Sequence, residues 1–424
     1  MNFKKSILLV SLSFLGVTAL HAQSAGLKLS NDLNTARKDE LIVLTRTFLE
    51  KKFKKKIDGN VSVTESNQPV FVQFDDLNRD GIWDEMAFLR NFKPLEKKEL
   101  LLSFETAGSA RIKPLARAYV RQKRKLPNDT FGVNLEKDSV PANQANTDFK
   151  KQKLPAMLTE GPAWENDKVG FRLYMDIRNQ KDIWGKRASK MVLDHVGTNP
   201  ENSYHELSDW GMDILIVGKS LSAGGLAVNV PLTGRDTLVR LGGKNMGRIV
   251  YEKVADGPIR AIFRMHYPEW NILGDGKMAS LTEELSIWGG QYFFESKVIL
   301  NDAPKKAQLV TGMVNLSAKQ SHEFFNRKVA AVYSYDVQAA NDYRLGMAVS
   351  MPKKYWTKFG NIGDEGVDIK NSYTAFERFD KNNSAKFRFH VGWELTDNAF
   401  KTMEGFKHYI EKQASLEASP ITLK

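Results

Sequence analysis

Residues 293–300 read Phe-Phe-Glu-Ser-Lys-Val-Ile-Leu. Phe294, Ser296, Val298 and Leu300 fall on one side of an extended chain and Phe293, Glu295, Lys297 and Ile299 on the other, a mainly apolar face against a mixed one. Only a half-buried strand has this two-residue period. Similar runs recur at 169–175, 214–217, 226–230, 259–267, 281–288, 309–316, 329–335, 345–351 and 386–393, with no helical period between them. Strand after strand without crossover helices predicts a large antiparallel sandwich over residues 161–424. Its end differs: across 397–416, Ala399, Met403, Phe406, Tyr409 and Ile410 recur on one side with charges opposite, which predicts a C-terminal helix.

Ahead of that body, short apolar runs at 40–44, 61–63, 70–74, 86–89 and 100–104 predict a small β-sandwich over residues 24–110. Residues 46–56 compete there as a helix. Residues 111–160 read as a connector, with Arg111, Lys113, Arg117, Arg121, Lys123, Arg124 and Lys125 forming a basic run. Lysines and arginines are also how a strand edge avoids unwanted pairing, and that reading is preferred to a collar for acidic chains. The opening, Lys4-Lys5, an apolar stretch to Leu20 and then His21-Ala22-Gln23, reads as a signal peptide over residues 1–22 and predicts a periplasmic protein. The chain has no cysteine, so disulfides, thiolate metal sites and cysteine nucleophiles are excluded. A net charge of +12 favours anionic partners, and with no nucleic-acid motif the expected one is an anionic oligosaccharide or polysaccharide.

Several catalytic templates fail. Gly218-Lys219-Ser220 lacks the upstream glycine of a phosphate loop, where Asp213 stands, and neither HExxH nor GxSxG occurs. Asp76, Asn78, Asp80 and Asp84 place oxygens at alternate positions around Gly81, as in the first half of a calcium loop, but Ala87 occupies the position of the closing glutamate. A structural calcium and a plain Asp-Gly turn both remain open.

Two aromatic-bearing loops stand out. In the first, Trp164, Glu165, Asp167 and Lys168 precede a strand whose polar face carries Arg172, Tyr174 and Asp176. The second holds His195, Tyr204, His205, Asp209 and Trp210. Aromatic faces stack on sugar rings, and fixed charges orient hydroxyls and carboxylates. Two histidines beside a tryptophan and an aspartate favour proton transfer, with His205 preferred, and His266 shares a strand face with Arg264.

These motifs, with Asp-Leu-Asn-Arg-Asp-Gly at 76–81, Trp164-Glu165-Asn166-Asp167, and Tyr204-His205 followed by Asp209-Trp210-Gly211-Met212-Asp213, resemble the Bacteroidetes family known as domain of unknown function 4861 (DUF4861). The resemblance spans the mature chain. It implies a periplasmic product of a polysaccharide-utilisation locus and a relation to ulvan oligosaccharide dehydratases. The strand-rich body is similar to the super-sandwich of galactose mutarotases, a scaffold shared by lyases and epimerases, and fold alone does not fix function. Elimination from a uronate needs a neutralised carboxylate, a base and an acid. Arg172 or Lys168 would neutralise, His205 or Tyr204 would take the proton, and His266 or a carboxylate would serve the leaving group. Trp164, Glu165, Asp167, Lys168, His195, Asp209 and Trp210 would hold substrate. The alternatives are hydrolysis by two of Glu165, Asp167 and Asp209, or a glycan-binding protein without catalysis.

Overall fold

The computed structural model describes residues 24–104, 115–232 and 235–424. The expected signal peptide and Arg111 and Lys113 of the connector lie outside them. The described chain is mainly β, and its paired strands run antiparallel. The largest sheet has nine strands, in the order His322–Phe325, Val329–Val337, Arg344–Pro352, Ser384–Trp393, Phe293–Asn301, Ala279–Trp288, Arg260–Trp270, Ile249–Asp256 and Lys137–Val140. Two five-stranded sheets share its core. One runs Gly211–Asp213, Lys181–Lys186, Val169–Leu173, Ala163–Asn166, Ala118–Arg121, and the other Arg235–Arg240, Ala223–Leu232, Gln308–Val314, Ser372–Arg378, Trp356–Ile362.

Alternation explains this core. Phe294, Val298 and Leu300 point inward, as their period requires, and meet Trp164, Phe171 and Ile183 of one small sheet and Val228, Leu309 and Ala375 of the other. The expected large sandwich is therefore present. On the opposite face of the nine-stranded sheet, the helix Met403–Ala418 buries Phe406 and Ile410 against Ala331, Tyr333 and Ala348. Gly346 and Gly392 permit this approach, since a Cβ on either would come within 2.5 Å of the Phe406 ring.

The N-terminal strands form a second sandwich. A five-stranded sheet containing Ser24–Ser30, Lys97–Phe104 and Val61–Glu65 faces a three-stranded one of Arg37–Thr45, Glu85–Phe92 and Gln73–Asp75. Leu27, Ile42, Leu44, Val63, Phe88 and Leu102 fill the space between. Residues Arg46–Phe53 do form a helix: the Thr45 hydroxyl accepts from Phe48 N–H at 3.2 Å, and Leu49 and Phe53 are buried. The C-terminus returns here, with Thr422–Leu423 pairing with Ser24–Ser30 and buried Arg37 donating to the Ser419 carbonyl.

The stretch 111–160 is more than a connector. Ala118–Arg121 and Lys137–Val140 are edge strands of two different sheets. Charge hides this in the sequence, because the carboxylates that neutralise the run come from elsewhere: Arg117 meets Asp39 and Asp167, Arg121 meets Asp194 and Asp256, and Arg124 meets Asp138. Residues 214–217 are not a strand either; the pairing stops at Asp213.

Buried His390 links the sheet to the helix through Ser350 Oγ at 3.0 Å and Tyr409 Oη at 3.2 Å. Burial, and then the Arg388 charge, push its imidazole down to about 3. An unfolded chain takes up that proton below about pH 6.5, whereas the folded one does not. Stability is thus full above that pH and falls by up to about 1.4 kcal/mol per pH unit below it, towards the folded value. Urea unfolding at pH 6.5 and pH 5 is expected to show a shallower loss for His390→Gln than for the wild type, and equal losses would refute the assignment.

Candidate functional site

The outer face of the sheet Gly211–Asp213 to Ala118–Arg121 carries the densest set of interacting charges. On Val169–Leu173, Phe171 and Leu173 enter the core, so Arg172 points the other way. Register sets Asp182 opposite Arg172, and Asp213 opposite Trp184. The Arg172 guanidinium therefore meets Asp182 at 2.8 Å and Asp213 at 2.6 Å, with Tyr174 Oη at 2.5 Å and Glu160 at 3.7 Å. Tyr174 donates in turn to Asp182 at 2.7 Å.

Burial opposes the Arg172 charge, but Tyr174, Asp213 and Asp182 outweigh it and hold the guanidinium charged. Burial, followed by the Asp182 charge, pushes the Asp213 carboxyl well above the ordinary aspartate range. Arg172 also lies 4.8 Å from the centre of the Trp184 ring.

Residues 187–210 roof this face. Buried Glu165 fixes the start of the roof: one oxygen accepts from Val192 and Leu193 N–H at 2.6 and 2.8 Å, and the other takes Lys186 Nζ. Its far end is held where Asp213 N–H donates to the Tyr204 carbonyl at 2.8 Å and Arg172 donates to Tyr204 Oη at 3.4 Å. Between these anchors the roof encloses a cavity of about 830 Å³, within the usual size of a small-ligand site. Lys190, His195, Asn199, Glu206, Tyr204 and Trp210 are among its walls. His205 lies between two wall residues; its ring is 4.5 Å from that of Tyr204, its side chain is 65% exposed, and Nδ1 is 3.6 Å from Asp213.

Environment drives the two neighbours apart. Burial raises the Tyr204 phenol, against the pull of Arg172, whereas burial and the Arg172 charge lower the His205 imidazole. Tyr204 keeps its proton, and His205 stays neutral with a free lone pair.

Some residues singled out from the sequence meet here and others do not. Tyr204, His195 and Trp210 share the cavity, and His205 adjoins it. Asp209 is exposed and is not a wall residue. Arg172 cannot neutralise a substrate carboxylate, because it is 1% exposed and its hydrogen-bonding groups are taken by the chain's own acids. Trp164 cannot stack on a sugar: the strand period turns it into the core, 5.6 Å from Phe171 and 5.0 Å from Phe263. Glu165 is buried against Lys186, and Asp167 is held by Arg117 and by Gly290 N–H. Lys168 sits in the turn after Asn166, with Nζ 5.8 Å over Tyr292, and does not reach the cavity. His266 belongs to the nine-stranded sheet, on the face away from the core, where it pairs with Glu252 at 3.1 Å. Sequence reading missed Asp182, Trp184 and Lys190. The first two sit in Lys-Asp-Ile-Trp-Gly-Lys, which is buried on both faces and so carries no two-residue alternation to mark it.

The acidic turn at 76–84 uses its oxygens on its own backbone. Asp76 accepts from Arg79, Asp80 and Gly81 N–H, Asp84 from Leu77 and Asn78, and Asp80 from Ile82 and the Asn78 amide. Among the described residues no cluster of three or more acidic or histidine side chains is arranged to hold a metal.

Fold and site together define an antiparallel β-sandwich protein with an aromatic, charged cavity on one outer face. The chain belongs to the family described as Domain of unknown function (DUF4861), which matches residues 29–423. It is 22% identical over 281 residues to Uncharacterized protein P7 of Formosa agariphila, a match covering 62% of this chain and 66%, just under two thirds, of that protein. Among solved structures it is similar to an alpha-mannosidase from Enterococcus faecalis V583, with a TM-score of 0.49 and 10% identity, over 95% of this chain and 46% of the other. A protein in the glycosyl hydrolase family 38 from Enterococcus faecalis overlaps with a TM-score of 0.44 and 10% identity, over 95% of this chain and 47% of that one. The chain spans about half the length of both, and likeness at this level carries no chemistry.

Two outcomes are expected. Arg172→Ala leaves two buried carboxylates facing each other and should cost about 3–5 kcal/mol in urea unfolding; a loss under about 1 kcal/mol would remove Arg172 as the centre of the network. The melting temperature should be the same in EGTA and in millimolar calcium, because the 76–84 turn satisfies its own N–H groups, and a calcium-dependent rise would show the turn to be an ion site.

Proposed function

We propose that the protein is an exported carbohydrate-active enzyme, a carbon–oxygen lyase that eliminates across the ring of a uronic acid in an oligosaccharide. The observation that carries this reading is the Tyr204–His205 pair beside the 830 Å³ cavity: a phenol that keeps its proton next to an imidazole kept free of one. Elimination needs such a pair. A base removes the proton beside the carboxylate, the adjacent C–O bond breaks as the double bond forms, and an acid protonates the departing oxygen. His205 takes the proton, with Asp213 orienting its ring, and Tyr204 supplies one to the leaving group.

Lys190, which has no carboxylate partner among the described residues, faces the uronate carboxylate in place of Arg172. Trp210 offers an aromatic face, and Asn199, Asn202 and Ser203 offer hydrogen bonds to hydroxyls. Arg172 acts through others, positioning Tyr204 and Asp213. Hydrolysis by Glu165 and Asp167 is disfavoured because both carboxylates are held in ion pairs away from the cavity. The basic and apolar opening of the chain supports export to the periplasm.

The test is absorbance of an unsaturated uronate, followed while the protein acts on pectic and algal uronate oligosaccharides. A rise is expected, and His205→Ala should lower kcat by about 10²–10⁴ while binding persists. New reducing ends without absorbance would establish hydrolysis, with Glu201 and Glu206 of the cavity wall next in line. Binding without any product would leave a glycan-binding protein. The lowered His205 value also sets the pH profile: the acid limb of kcat/KM should fall below pH 6.5, the ordinary histidine value. A limb above it would exclude His205 as the base.

A further inference from the structure

We propose that the far end of the sandwich carries a second site, a docking surface for an anionic polysaccharide chain bearing carboxylates or sulfates. A cavity of about 630 Å³ opens there between the turn 302–307 and the segment 378–383, and it shares no residue with the cavity at 190–210. Lys305, Lys306 and Arg378 stand in its wall, exposed and without an ion-pair partner among the described residues. Asp302 and Asp380 are in the same wall, but Asp380 is turned onto the backbone N–H groups of Asn382 and Ser384 at 2.8 and 2.9 Å.

The cavity leads onto an aromatic ledge. Arg378 donates to the carbonyls of Tyr355, at 2.9 Å, and Lys354, at 3.1 Å, which joins its wall to the edge strand Trp356–Ile362. That edge meets another, His322–Phe325, where Phe325, Trp356 and Phe359 pack with ring centres 5.0 to 5.7 Å apart. Phe325 is exposed, and Trp356 and Phe359 are half-buried. Lys353 lies 5.5 Å over the Phe325 ring and Lys354 5.1 Å over Tyr355, and neither has a carboxylate partner among the described residues.

Lysines protect the edge and Trp356 and Phe359 pack partly on the main core, but neither role accounts for Phe325, which is 37% exposed beside them. Aromatic faces take the C–H side of a pyranose ring, and flanking ammonium and guanidinium groups take its carboxylate or sulfate. The contrast with the basic run at 117–125 supports this assignment. There Arg117, Arg121, Lys123 and Arg124 are each paired with an aspartate, which leaves little charge for a partner. The ligand class is thus read from this surface alone and does not depend on the chemistry of the other cavity.

Affinity electrophoresis of the full chain through gels containing polygalacturonate, a sulfated galactan, neutral dextran or single-stranded DNA tests the proposal. Retardation by the first two and not by dextran is expected. It should weaken about tenfold in Lys353→Glu/Lys354→Glu and in Phe325→Ala, each with an unchanged melting temperature, and persist in the His205→Ala/Lys190→Ala variant of the other cavity. Any of four results would overturn it: retardation that survives both ledge variants, loss only in the cavity variant, sensitivity to charge but not to Phe325, or retardation by DNA alone. A dimer in light scattering that Phe325→Ala dissolves would assign the ledge to a second copy of the chain instead.

Discussion

The burial of Arg172 is the constraint on which the rest of the site depends. Removing a guanidinium from water costs several kcal/mol even after relaxation, and only partners fixed by the fold can offset it. Those partners lie on neighbouring strands: Asp182 is cross-strand from Arg172, and Asp213 is one strand further. A slip of one residue would send Arg172 into the core and Phe171 outward, a double loss that pins the register of the small sheet. The cluster therefore specifies the sheet as much as it serves chemistry, and the two roles have the same geometric requirement.

That requirement extends to the roof. Residues 187–210 have few backbone pairings of their own and are positioned from both ends, by Glu165 with Lys186 at the start and, at Tyr204, by the Arg172 guanidinium and the Asp213 backbone N–H. Gly211 completes the return to the sheet. Its φ is +134°, and a Cβ there would stand 1.7 Å from the Gly185 carbonyl oxygen, so the chain re-enters the strand only because this residue has no side chain. Fixing the ends and leaving the middle open produces a cavity whose walls mix apolar residues such as Met191, Val196 and Trp210 with polar ones. Burial is what separates the proton affinities of Tyr204 and His205, raising the phenol and lowering the imidazole, while the Arg172 charge lowers both.

How far the sequence could be read follows from the same physics. Long strands with one buried face, such as Phe293–Asn301 and Arg260–Trp270, announce themselves by alternation, and the amphipathic C-terminal helix does so by its own period. Lys181–Lys186 is buried on both faces yet begins and ends with lysine. One enters the sandwich to meet Glu283 at 2.9 Å and the other pairs with Glu165 outside it, so no hydrophobic pattern marks the strand. Missing that strand meant missing Asp182 and Trp184. Trp164 failed for the opposite reason: followed by Glu165, Asn166 and Asp167 it resembles a loop tip, but in a strand Glu165 is the residue that faces the other way. His205 was accessible by composition, whereas its contact with Asp213 needs the turn through 206–210 and has no local signal.

Charge gives the sharpest case of a total that is right and a location that is not. The net charge of +12 correctly says that cations exceed acids, and the eye goes to the run at 111–125, with seven cations in fifteen residues. Folding brings Asp39, Asp138, Asp167, Asp194 and Asp256 onto its described members, because strand edges that carry charge next to other strands must be neutralised to pack. Part of the surplus appears at Lys305, Lys306, Lys353 and Lys354, which are scattered in sequence, have no ion-pair partner among the described residues and are linked in the fold through Arg378. Local density of charge in a sequence measures what a fold must neutralise; what it presents to a partner is the remainder, and that is a property of the three-dimensional pairing.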